Sequence, residues 1–194
     1  ILRNLMRYKF ISTILPENQR LESTIHYYEN IKNLSYTRRD PLFWLQYAIA
    51  SLNLDQLERA ERYFEDSYSL AKARQGYDTF QIDNHFSRLL LEKALRTNEK
   101  NASMKFTHEA KIILLNQMKQ EHRYYPYRSS LGFFKVYDKH KDMLSKEEKD
   151  FFASLFSEIY KRSTSTNASI RNNRYVVECS RLSEKFLVDV QGRF

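Results

Sequence analysis

The sequence predicts an all-α protein built of stacked antiparallel helical hairpins, and three observations carry this. Among 194 residues there are only 3 Gly and 3 Pro, too few for the repeated tight turns of a sandwich or barrel. Apolar residues recur at three- and four-residue steps over long stretches, the period of a helix face and not of a strand. Short polar residues and prolines stand where those stretches begin, as helix N-termini require. A hydrophobic content of 42% is enough for a sizeable core, and roughly 100–200 residues is the usual size of one domain.

The first predicted helix covers 1–14, where ILRNLMRYKFISTIL is amphipathic and lacks the small-residue cleavage site of a signal peptide. Pro16 follows, and the second helix is predicted over 18–34. Asp40-Pro41 opens the third, over 41–53, because Asp caps orphan backbone N–H groups and Pro in a first turn gives up none that would have been paired. A fourth runs over 56–74 and ends on Lys72 and Arg74, with Gly76 suited to a left-handed cap. Asp78-x-x-Gln81 resembles a capping box for the fifth, over 79–95, in which Ile82, Phe86, Leu89, Leu90 and Ala94 share a face. Asp83, Asn84, Ser87 and Arg88 lie toward its other side.

A sixth helix is predicted over 102–121, and Pro126 opens a seventh over 126–140. The box Ser145-x-x-Glu148 opens an eighth over 146–162, whose apolar face is Phe151, Phe152, Leu155, Phe156 and Ile159. RSTSTNAS, at 162–169, is Ser/Thr-rich and reads as a linker before a last helix over 168–189. The expected organisation is a hairpin-repeat domain over 1–162, followed over 163–194 by a linker and a terminal helix packed on the last repeat. The chain begins at Ile and enters directly into apolar periodicity, so it reads as a piece of a larger protein.

No run of about 18 apolar residues is present, so no membrane span is predicted. A single cysteine, Cys179, excludes an internal disulfide and suggests a reducing compartment, with the cytoplasm the simplest expectation. The formal charge is +8, from 32 Lys and Arg against 24 Asp and Glu. These charges are interleaved, as in LDQLERAERYFED, instead of forming a dense basic arm, so a solvated surface is favoured over a phosphate-binding one.

The residue patterns predict neither an enzyme nor a bound cofactor. His26, His85, His108, His122 and His140 form no HExxH and sit at no metal-ligand spacing, and Gly76, Gly132 and Gly192 are isolated without a GK[ST] loop. Asp83-Asn84-His85 is polar, but adjacent helical residues point in different directions and do not converge on one atom. Arg20 and His26 have a spacing similar to that of HEPN ribonucleases, although Leu21 stands where a polar residue is usual. The strongest partner-contact signal is HRYYPYRSSLGFF, at 122–134, since Tyr and Arg combine apolar area with polar ends. The candidate partner-binding residues are therefore Asp83, Asn84 and Arg88 on the fifth helix, with Arg123, Tyr124, Tyr127 and Arg128 around Pro126.

Trp44, Tyr47, Ala48, Ala60 and Phe64 occur in the order of a tetratricopeptide repeat, which this segment resembles. The resemblance implies a right-handed superhelix of hairpins, because one hairpin cannot bury its own apolar faces and needs neighbours. The pattern departs at Ser51, where an aromatic is usual, and at Ser67, where Ala is usual. Helix starts at Asp40, Asp78 and Pro126 are spaced by 38 and 48 residues, against ~34 in regular arrays. From Asp40 to about Leu95 the chain also resembles the helical-repeat region that closes bacterial STAND NTPases, including anti-phage proteins. That resemblance implies a sensor module binding a protein or peptide ligand, with other domains of the same polypeptide as further partners. The alternative is a nucleic-acid-binding helical repeat that uses the positive balance.

Overall fold

A computed structural model describes residues 17–119 and 123–191. The predicted helix over 1–14, Pro16 and His122 lie outside the described residues. The described residues form helices joined by turns, with no strand among them. In order the helices are α1 (Glu17–Ile31), α2 (Pro41–Asn53), α3 (Leu57–Lys72), α4 (Phe80–Arg96), α5 (Lys100–Gln117), α6 (Tyr125–His140), α7 (Lys146–Ser165), α8 (Ala168–Arg171) and α9 (Arg174–Gln191). A 3₁₀ turn, Lys141–Met143, follows α6. The chain divides into two compact units, the first ending at Ile82 and the second beginning at Asp83.

In the first unit the chain enters α2 through the Asp40 cap, whose carboxylate accepts from the Leu42 N–H at 3.2 Å. Helices α2 and α3 pair across a short turn in which Asp55 takes φ 63°, a left-handed conformation that costs Asp less than most side chains. Tyr47, Ala48, Ala60 and Phe64 are all fully buried between them. Ser67 is also fully buried, and its hydroxyl donates to the Pro41 carbonyl at 2.8 Å, so the small residue supplies an interhelical bond that Ala could not. Trp44, the largest residue of the motif, is only half-buried. Its Nε1–H donates to the Arg38 carbonyl at 3.4 Å, a partner it would lose by sinking into the core. Its ring stacks instead on Tyr47 and leans on Tyr63, 5.3 Å away.

Tyr47 and Tyr63 stack at 4.0 Å, and Tyr28 of α1 lies 5.2 Å from Tyr47 on another side. The Tyr47 hydroxyl donates to Glu29, which also pairs with Lys32 at 2.5 Å and with Arg59 at 3.5 Å. One α1 carboxylate thus ties down groups from α2 and α3. Hydrogen bonds from Lys32 and then Tyr47 hold the Glu29 carboxyl below its usual range. Burial first, and the Glu29 bond second, push the Tyr47 phenol up. The cap expected at Gly76 falls earlier: α3 ends at Lys72 with Ala73 as its right-handed cap, and Gly76 takes φ +74° in the next turn, where the Tyr77 N–H donates to the Arg74 carbonyl.

The second unit has its own core, which joins Leu90, Leu91, Leu114, Phe133, Phe156 and Val176 among others. Phe134 and Phe156 stack at 4.6 Å, and Phe186 of α9 lies 5.4 Å and 5.3 Å from them. The Ser145 capping box forms reciprocally, with Glu148 N–H donating to the Ser145 hydroxyl and Ser145 N–H to the Glu148 carboxylate. Lys100 of α5 reaches the same carboxylate at 2.9 Å. The Ser/Thr-rich stretch expected as a linker differs: α7 continues through Ser165. Ser163, Thr164 and Ser165 return their hydroxyls to carbonyls of the preceding turn, which lets these residues sit in a helix.

The predicted last helix is interrupted. Asn167 accepts from the Ser169 N–H and Asn173 from the Tyr175 N–H, so each Asn starts a separate helix, α8 and then α9.

Candidate functional site

The second unit contains a groove of about 250 Å³ between α4 and α6, with Tyr175 of α9 on its margin. Gly132 of α6 is part of its lining. A Cβ there would stand 2.9 Å from Leu91 Cδ1 and 3.0 Å from Leu91 Cβ, so only Gly permits this approach of α6 to α4. Lys139 reinforces the pairing by donating to the Leu95 and Thr97 carbonyls at 2.7 and 2.6 Å.

Buried Leu91 and Asn84 form the floor. The Asn84 amide oxygen accepts from the Ser129 hydroxyl at 3.0 Å, which fixes the amide across the helix pair. Exposed Tyr125, Arg128 and Lys135 form the rim. The Arg128 guanidinium lies 5.5 Å from the Tyr175 ring centroid, and Arg174 approaches the same ring at 4.6 Å. Tyr124 stacks on Tyr125 at 4.4 Å and faces Tyr175 at 6.1 Å, so the aromatic margin is continuous.

The electrostatics are unbalanced. Burial, then Arg88 and Arg128, push His85 down to about 4, so the imidazole is neutral at pH 7. Its Nδ1 is buried and has no hydrogen-bond partner among the described residues. Burial also lowers Arg88, with Arg128 adding to the effect and Glu92 opposing it. Arg128 and Lys135 make no ion pair among the described residues.

Of the candidate partner-binding residues, Asn84, Arg88 and Arg128 line this groove together. Tyr124 supports its aromatic margin from outside. Asp83 and Arg123 are half-buried and do not line it. Tyr127 belongs to the core: it is 1% exposed, its hydroxyl donates to the Arg162 carbonyl at 3.3 Å, and its own carbonyl accepts from the Cys179 thiol at 3.0 Å. Position decides this, because Tyr127 sits one residue before Arg128 on α6 and so faces away from the groove. His85, Lys135 and Tyr175 complete the site but were absent from the sequence candidates. Tyr175 lies near an Asn-Asn break that can be read from sequence, and His85 stands in the polar triplet Asp83-Asn84-His85, whereas nothing local marks Lys135.

His26 is exposed on α1, six positions after Arg20, which turns the pair about 120° apart around the axis. Among the described residues no group of three His, Cys, Asp or Glu side chains could hold a metal ion. No described helix is long and apolar enough to cross a membrane. No family model, curated protein or solved structure matches this chain.

Proposed function

We propose that this chain is a protein-binding module of tetratricopeptide-like hairpins, the sensor segment of a larger STAND NTPase-like defence protein working in the cytoplasm. The observation that carries the binding role is the open groove with its Tyr125, Arg128 and Tyr175 margin, where aromatic area and an oriented guanidinium meet. Tyr and Arg in a desolvated pocket are the residue types that dominate protein interfaces. The α2–α3 hairpin supports the scaffold part of the reading, since its motif positions Tyr47, Ala48, Ala60 and Phe64 are buried together. The sensor role rests on the sequence resemblance between Asp40 and Leu95.

The groove is smaller than the ~300–1,000 Å³ of drug-sized sites, so it suits one or two side chains of a partner. The test compares proteins captured by the parent chain with those captured by an Arg123→Ala, Arg128→Ala variant of unchanged melting temperature. Capture that the variant loses, and that persists between about 50 and 200 mM salt, supports the protein-binding reading. Tight RNA or DNA binding that collapses across that salt range, with no captured protein, replaces it with the nucleic-acid reading.

A further inference from the structure

We propose that the groove recognises a carboxylate side chain on an acidic peptide segment, with Arg128 as the charge partner. The inference rests on the protein-binding reading and names the chemistry of the partner. Charge balance carries it. Arg88 has Glu92 beside it on α4, one turn away, which offsets one of the two guanidinium charges at the groove. Arg128 has no such carboxylate among the described residues, and Lys135 on the same rim has none either. The Arg128 guanidinium lies close enough to Arg88 to disfavour its charge, and an anion placed between the two groups offsets that repulsion.

Geometry adds an oriented donor fork. Arg128 is held over the Tyr175 ring at 5.5 Å, so the planar fork is oriented before a ligand arrives. A carboxylate accepts such a fork through both oxygens. Glu92 on the wall disfavours a dianion such as phosphate, and the volume of about 250 Å³ admits a side chain but not a stretch of nucleotides. The exposed Tyr125 and the Tyr175 face lie on the margin, where they can cover the peptide on either side of the acidic residue.

The test titrates the isotopically labelled full chain with capped hexaglutamate, and separately with capped hexaglutamine, inorganic phosphate and a short single-stranded RNA. Hexaglutamate should shift resonances at 84–92 and 128–135 saturably, hexaglutamine should not, and Arg128→Gln should weaken binding about 10-fold or more, as expected for a lost charge-assisted bond. Lys161→Gln, an exposed charge on α7 outside the groove, should leave the affinity unchanged. Equal weakening by Arg128→Gln and Lys161→Gln, shifts confined to other surfaces, or tighter binding of phosphate or RNA would overturn the proposal. If hexaglutamate fails to bind while a captured protein is still lost on Arg128 substitution, the carboxylate assignment falls and the protein-binding reading stands. If hexaglutamate binds at the groove but no protein is captured, the reverse holds.

Discussion

Two buried serines in the first unit show how much a single hydroxyl depends on its surroundings. Ser67 donates to the Pro41 carbonyl, whereas the equally buried Ser51 hydroxyl has no partner among the described residues. A made bond contributes about 0.5–1.5 kcal/mol, and a buried polar atom left unpaired costs about 1–3 kcal/mol. Ser67→Ala should therefore destabilise by about 1 kcal/mol, and Ser51→Ala should be neutral or stabilising. Urea unfolding followed by the fluorescence of Trp44, the only tryptophan, measures both; equal losses would mean that Ser51 is paired in solution. His85 gives the pH-dependent counterpart. The folded group titrates at about 4 and the unfolded one near 6.5, because burial, Arg88 and Arg128 disfavour the imidazolium while Glu92 is close to Arg88. Between those values the unfolded chain holds a proton that the folded chain lacks. Stability should thus be independent of this group above pH 6.5 and fall as pH drops toward 4, by at most about 1.4 kcal/mol per pH unit. His108 and His140 are lowered in the same direction by burial, so His85→Asn should flatten the slope without abolishing it. Unfolding free energies across that pH range, parent against variant, decide the point.

At the scale of helices, the hairpin and the groove make different demands. Phe64 is fully buried between α2 and α3 whereas Trp44 is half-buried at their edge. Phe64→Ala should cost about 3–5 kcal/mol, and Trp44→Ala distinctly less, about 2 kcal/mol, since part of the indole is already in water. Thermal melting by circular dichroism ranks them, and the opposite order would place the core of the hairpin on the Trp side. Gly132→Ala gains about 1 kcal/mol of helix propensity but drives a Cβ into Leu91, a buried side chain met near its own Cβ. The clash should win, giving a net loss of about 1 kcal/mol. The same spacing explains what could be read in advance. Starts at Asp40 and Ser145 were legible, because a cap depends on residues within one turn. The groove was legible only from its α4 and α6 sides, where Asn84, Arg88 and Arg128 are conspicuous. Its other members arrive through the fold: Tyr175 is brought in by α9, and the close approach of Gly132 to Leu91 is a contact that no local pattern records. The Ser/Thr stretch misled because its hydroxyls compete for backbone in a loop, yet here they bond within α7.

The molecule as a whole carries two cores, and each holds one natural reporter. Trp44 lies in the unit that ends at Ile82, and Cys179, the single cysteine, lies in the unit that begins at Asp83. Cys179 is fully buried, its thiol donates to the Tyr127 carbonyl, and burial pushes its pKa up, so in the folded state it should resist an aromatic disulfide reagent. Exposure of that thiol follows the second core, whose cluster runs from Leu90 to Phe186 and includes none of the α2–α3 aromatics. The Tyr47–Tyr63–Trp44 stack reports the first. Phe64→Ala removes packing from the α2–α3 hairpin of the first unit. The variant should therefore move the urea midpoint seen by Trp44 fluorescence to a markedly lower concentration, while the midpoint for thiol exposure moves less. Separate midpoints break the single-transition behaviour expected of one cooperative domain and leave each unit with its own stability. Coincident midpoints that shift together in Phe64→Ala would instead show that α4, which starts in one unit and continues into the other, couples both cores into one folding transition.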